Sequence, residues 1–141
     1  MSLEDIQVTS LSRINVVGGD VFHGMKQTDV GYAGFGEAYF SWVVQGAIKA
    51  WKRHNRMTMN LVVPAGSVRF VFFAEDERKR SLREEVIGEE RYARLTVPPG
   101  TWFGLQGLAA PKSLVLNIAS IIHDPLEVER RDMSDINYNW R

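Results

Sequence analysis

The chain has 141 residues, with 17 basic (Lys+Arg) and 17 acidic (Asp+Glu) side chains and no cysteine. One domain, residues 1–141, accounts for that length and can hold a core without staples. The zero net charge excludes a bulk field for nucleic acid or an anionic membrane, and the lack of cysteine excludes disulfides, thiol nucleophiles, iron–sulfur clusters and cysteine zinc sites.

The N-terminus, where Met1-Ser2-Leu3 also reads as a cloning remnant, lacks the basic-then-apolar pattern of a secretion signal. No apolar run exceeds six residues, far short of the roughly 20 that span a bilayer. The cytoplasm is the expected location. Gly18-Gly19, Gly31, Gly34, Gly36, Gly46, Pro64 to Gly66, Pro98-Pro99-Gly100, Gly104, Gly107, Pro111 and Pro125 punctuate the chain at short intervals. Between them lie runs rich in β-branched and aromatic residues: Ala38 to Val44, Leu61 to Val63, Val68 to Phe73, Leu95 to Val97 and Leu114 to Ile122. Short runs of this kind between turn residues predict an all-β sandwich or barrel with little helix. From Glu75 to Arg94, seven acidic and six basic residues stand nearly balanced, which predicts a solvated connection between strands.

The block from Gly46 to Gly66 carries the chemistry. Alternation along a strand sends Lys52 and His54 to one face. Gly46, Lys52, His54, Met59 and Gly66 have the spacing of the first cupin motif, whose ligand slots take His, His and Glu. Pro98-Pro99-Gly100-Thr101-Trp102-Phe103 resembles the second cupin motif, with Phe103 in its histidine slot. A lysine ammonium has no lone pair to give, and Met and Phe are poor partners for a hard or borderline cation. The expectation is a double-stranded β-helix, the cupin jelly roll, with no metal and no cofactor.

A metal-free cupin of this layout resembles the dTDP-4-dehydrorhamnose 3,5-epimerase family of sugar-nucleotide enzymes. Phe35-Gly-Glu37-Ala-Tyr39-Phe-Ser41 is similar to that family's Phe-x-Gln-x-Asn-x-Ser strand, and Gly46-Ala-Ile-Lys49-Ala-Trp-Lys52 to its Gly-x-x-Arg-Gly-Leu-His segment. Asp76-Glu-Arg78-Lys-Arg-Ser81 resembles its Asp-x-Arg-x-x-Ser, and Val97 to Gly104 its Pro-Pro-Gly turn. The resemblance implies proton removal next to a ketone, enolate stabilisation by a cation, and reprotonation from a tyrosine. At the matching positions this chain has Lys52 for the family's histidine, Met59 for its strand lysine, Asn117 for its tyrosine and Phe103 for the turn histidine. Asp132 and Asp135 are the candidates for the carboxylate partner of the catalytic base. The related sugar 3,4-ketoisomerases use a His-x-His pair, of which His54 is the second member.

Each candidate has two readings. Lys52 acts as a base or an enolate-stabilising cation, or it pairs structurally with Glu37. His54 is an acid/base or a hydrogen-bonded wall residue. Tyr39, Trp102 and Phe103 stack a base or sugar, or fill the core. Lys49, Arg53, Arg56 and Arg69 hold a diphosphate, or are surface charges. Asn117 orients substrate, and His123 reads as a turn residue. The functional expectation is an epimerase or isomerase acting on a nucleoside-diphospho-4-keto-6-deoxysugar, with Lys52 and His54 catalytic and Glu37, Tyr39, Lys49, Trp102, Phe103 and Asn117 binding. The alternative is a non-catalytic cupin that binds the sugar nucleotide or a partner enzyme. A homodimer is expected, with the N-terminal segment pairing onto the partner chain to cover a sheet edge. No nucleic acid or membrane partner is expected.

Overall fold

A computed structural model describes residues 2–77 and 79–141; Arg78, part of the Asp-x-Arg-x-x-Ser match, lies outside the described residues. The strands are β1 (Gln7–Ser10), β2 (Arg13–Ile14), β3 (Val21–Phe22), β4 (Glu37–Val44), β5 (Ile48–His54), β6 (Met59–Ala65), β7 (Ser67–Glu75), β8 (Arg80–Gly88), β9 (Ala93–Val97), β10 (Trp102–Gly107), β11 (Lys112–Ala119) and β12 (Val128–Arg130). They form two antiparallel five-stranded sheets, ordered β1-β9-β6-β11-β4 and β12-β5-β10-β7-β8, plus the β2-β3 ribbon. The jelly roll expected from the sequence is therefore present. Among the described residues its only helix is three short 3₁₀ turns.

Each predicted run lies within a strand or extends one. The charged stretch from Glu75 to Arg94 becomes the β7–β8 hairpin and the turn into β9. Its charges pair locally, Arg80 with Glu75 and both Arg83 and Arg91 with Glu85.

β7 explains the continuous apolar run Val68 to Phe73. Val68, Phe70 and Phe72 point between the sheets, into a core with Val43, Leu61, Ile87, Leu95 and Val115. Val71 and Phe73 point the other way, into a second cluster with Trp51 and Ile136. That cluster exists because the C-terminal tail lies over the outer face of the second sheet. Trp51 Nε1 donates to Met133 O, the Tyr138 hydroxyl bonds Glu84, and Gln106 Nε2 donates to Arg141 O. The β6–β7 turn requires Gly66: its φ is +87°, and a Cβ would lie 2.2 Å from Ser113 Oγ.

A bulge decides which side chains of β5 face the interior. The β5–β10 ladder carries a bulge, with Phe103 opposite Lys52 but Gly104 opposite Ala50. Trp51 is the extra residue; its N–H and C=O exchange hydrogen bonds with Arg131 instead. A bulge breaks the two-residue alternation, so Lys49 and Lys52, three positions apart, both reach the same cavity.

Within the chain, β1 pairs with β9. The sheet is then left with two edge strands, β1 and β4.

Phe70→Ala should remove about 3–5 kcal/mol of stability, the usual effect of truncating a fully buried Phe. Val17→Ala, at a fully exposed position of the β2–β3 ribbon, should stay within about 0.5 kcal/mol of wild type. Urea unfolding monitored by tryptophan fluorescence checks both.

Candidate functional site

Between the two sheets lies a cavity of about 390 Å³, within the usual range for a small-molecule site. The first sheet lines one wall with Tyr39, Ser41, Leu61 and Asn117, and the second lines the other with Lys49, Lys52, His54, Phe103 and Arg130.

His54 ends β5, and its neighbour across the ladder is Val128 of β12. The 3₁₀ turn Pro125–Glu127, capped by the Asp124 side chain accepting from Leu126 N, leads into β12 and holds Glu127 beneath β5. Glu127 is 4% exposed and His54 3%. Glu127 Oε2 lies 2.8 Å from His54 Nδ1, and Oε1 accepts from Met57 N at 2.9 Å. An ionised carboxylate only accepts, so Nδ1 carries the imidazole proton and Nε2 keeps its lone pair. Nε2 is buried and has no partner among the described residues. Phe103 lies nearly parallel to the ring, centroids 6.2 Å apart, and fixes its plane. Burial pushes the His54 pKa below the ordinary imidazole value; the Glu127 hydrogen bond and charge pull it back up, and Lys52 pushes it down again. The ring is therefore neutral at pH 7, the state a base requires.

Lys52 is half-buried on the cavity wall. Burial, then the Arg130 charge, push its ammonium below the ordinary lysine value; Glu127 opposes and Lys49 adds to the push. Opposite, Asn117 Nδ2 donates to the Tyr39 hydroxyl oxygen at 2.9 Å while its Oδ1 accepts from Asn60 N at 3.2 Å. Burial raises the Tyr39 pKa, the Asn117 hydrogen bond opposing. Tyr39 thus keeps its proton at neutral pH, with the hydroxyl oxygen held from one side. At the rim, Lys49 Nζ donates to Trp42 O at 2.9 Å. Arg130 has no carboxylate partner among the described residues.

Of the sequence candidates, Tyr39, Lys49, Lys52, His54, Phe103 and Asn117 share this cavity. Trp102 does not: it stacks on Phe73 outside the barrel, under the guanidiniums of Arg53 and Arg131. Glu37 forms no pair with Lys52; its Oε1 accepts from His123 N at 2.6 Å, which makes His123 the turn residue expected. Asp132 and Asp135 do not hold His54, because they cap the last 3₁₀ turn reciprocally. Glu127 is the carboxylate that meets the His54 ring. Arg53, Arg56 and Arg69 are spent on Glu129, Asp124 and Glu84. Glu127 and Arg130 were missed by the sequence reading, and Ser41 entered it only as part of the strand match; the only local signal for Glu127 was its place in the turn after Pro125. Lys52, His54, Met59 and Phe103 do not suit a divalent cation: they offer one imidazole, whose other nitrogen is held by Glu127. Among the described residues no three His, Cys, Asp or Glu side chains come together elsewhere. No helix among them is long and apolar enough to cross a membrane.

No family model and no curated protein matches the chain. Solved structures do. A dTDP sugar isomerase from Desulfovibrio desulfuricans G20 is 33% identical, with a TM-score of 0.90 over 97% of this chain and 91% of that one. A dTDP-4-dehydrorhamnose 3,5-epimerase from Bacillus anthracis, solved with TDP and PPi bound, gives 0.81 at 13% identity over 96% and 85%. A sugar 3,4-ketoisomerase from Thermoanaerobacterium thermosaccharolyticum in complex with TDP gives 0.73 at 15% identity over 92% and 90%. The last two likenesses are of fold.

In a pH titration followed by NMR, the His54 ring should protonate below 6.5. Glu127→Gln removes the charge that raises its pKa, so that midpoint should fall further. A midpoint at or above 6.5 in the wild type would show that the ring is not held neutral.

Proposed function

The chain belongs to the dTDP-sugar isomerase and epimerase family of cupins, and from that premise we propose that it moves a proton at the carbon next to the ketone of a nucleoside-diphospho-4-keto-6-deoxysugar. The observation that carries this reading is the buried His54–Glu127 pair, with Nδ1 held by the carboxylate and Nε2 unpartnered on the cavity wall. A surface built only to bind has no use for a desolvated imidazole kept neutral. A base that must strip a weakly acidic C–H does.

His54 Nε2 takes the α-proton, and Glu127 stabilises the imidazolium that forms. The C–H electron pair then moves into the ketone group, which Lys52 on the same wall activates. Tyr39, on the facing sheet, returns a proton from the opposite side, so the two walls together invert a centre. Asn117 orients the phenol. Lys49 and Arg130 at the rim supply cations for the diphosphate, with Phe103 and Ser41 against the sugar. The reading agrees with the dTDP-sugar relative and with the TDP complexes of the more distant neighbours.

Incubating dTDP-4-keto sugars with the protein in heavy water should place deuterium at C3 or C5. His54→Gln and Glu127→Gln should slow that exchange on the order of 10²–10⁴-fold. Tyr39→Phe should slow inversion more than exchange, since removal does not need it. Tight binding with no label above background would leave only the binding function.

We propose in addition that the protein is a homodimer. Phe40, Trp42 and Val44 on the edge strand β4 are 64, 52 and 59% exposed. Leu116 and Leu114 of β11 stand directly beside Phe40 and Trp42. This apolar outer face fits a second copy of itself. Sedimentation should give twice the chain mass, and Trp42→Glu should yield a folded monomer; a monomeric wild type would refute the dimer.

A further inference from the structure

Two lysines reach the cavity, and they are held differently. Lys49 sits exposed at the rim with its Nζ bound to Trp42 O. Lys52 is half-buried two residues before His54, and among the described residues its side chain has no hydrogen-bond or ion-pair partner. The two acids that might have claimed it are occupied. Glu37 is on the His123 backbone, and both oxygens of Glu127 are taken by His54 and Met57. Directly across the β5–β12 ladder stands Arg130, another cation. A half-buried amine with cationic neighbours and no anion of its own is the arrangement that favours the free, nucleophilic amine of a lysine over its ammonium. The depressed pKa of Lys52 agrees.

Resting on the ketone-sugar reading above, we propose that Lys52 acts covalently, its amine condensing with the C4 ketone of the bound sugar to give an iminium. The Nζ lone pair forms the C–N bond, the nitrogen gives up one of its two protons, and the carbonyl oxygen takes it up to become the hydroxyl of a carbinolamine. That hydroxyl takes a second proton, drawn from solvent, and leaves as water as nitrogen closes the C=N bond. His54, on the same strand face, relays both protons and ends neutral. It then takes the α-proton, and the C–H electron pair moves into the iminium to give a neutral enamine. Reprotonation at carbon regenerates the iminium, and water adds to release the ketone and the amine. Nothing is oxidised or reduced, and water is the only co-reactant. The gain is electronic: a full positive charge conjugated to the carbon acid, where a hydrogen bond would only polarise it.

The test is to incubate wild-type protein with dTDP-4-keto-6-deoxyglucose and sodium cyanoborohydride near pH 7 and read the intact mass. The expected result is one adduct per chain, of substrate mass less one oxygen, mapped by peptide sequencing to Lys52. Lys52→Arg keeps the charge but cannot condense, so it should trap no adduct at this position and lose exchange on the order of 10²–10⁴-fold. Wild type that exchanges the α-hydrogen yet traps nothing at Lys52 overturns the covalent step and leaves the proposed function standing. So does Lys52→Arg that exchanges at near the wild-type rate. Neither exchange nor adduct overturns both, and an adduct on Lys52 without exchange supports the condensation while removing the epimerase reading.

Discussion

A carboxylate can be buried between two sheets only if its charge is met on both oxygens, since an unpaired buried charge would ionise poorly or destabilise the fold by several kcal/mol. Glu127 meets that condition with one ring nitrogen and one backbone N–H. The consequences spread from there. The turn after Pro125 must dock against the end of β5, which fixes β12 in register with it. The chain after His54 must bend so that Met57 presents its N–H. The imidazole must adopt one tautomer, and its remaining nitrogen is left on the cavity wall. A structural requirement of burial and the chemical requirement of a general base are met by the same pair of bonds.

The sandwich separates the chemistry by sheet. The second sheet brings the basic and cationic groups, because β5 and β12 are neighbours and carry Lys49, Lys52, His54 and Arg130. The first sheet brings Tyr39 and Asn117 from the adjacent strands β4 and β11, directly opposite each other in register. A ligand between the walls therefore meets a proton acceptor on one face and a hydroxyl donor on the other. Neither sheet alone presents both.

Much of this was legible before the fold was known, and the misses have physical causes. Strand alternation alone sends Lys52 and His54 to one face. The same rule sends the adjacent Trp102 and Phe103 of β10 to opposite faces, so only Phe103 could line the cavity; the sequence reading kept both because the turn motif spans both. Glu37 does share the inward face of β4 with Tyr39, but its place near the strand end brings it to a backbone N–H on the next turn. Glu127 was invisible because its partner is 73 residues away and the turn between Asp124 and β12 carries no periodicity. Lys49 reaches the cavity only because of the bulge at Trp51, which no pattern in one strand announces.

That bulge also explains why the C-terminal tail matters to a site it does not line closely. At Trp51 the β5–β10 ladder is interrupted, and a strand so interrupted is free to shift unless something else holds it. Arg131 takes up both backbone groups of Trp51, at 3.1 and 3.0 Å, and Met133 O accepts from its indole. Ile136, Tyr138 and Trp140 then close over the ring. The residue gripped from behind is the one immediately before Lys52. The tail therefore fixes the height and direction of the Lys52 side chain from outside the barrel, as Glu127 fixes His54 from inside it. Lys52 and His54 are thus set by segments that follow them by more than 70 residues, so the site is complete only once the last strand and the tail have docked.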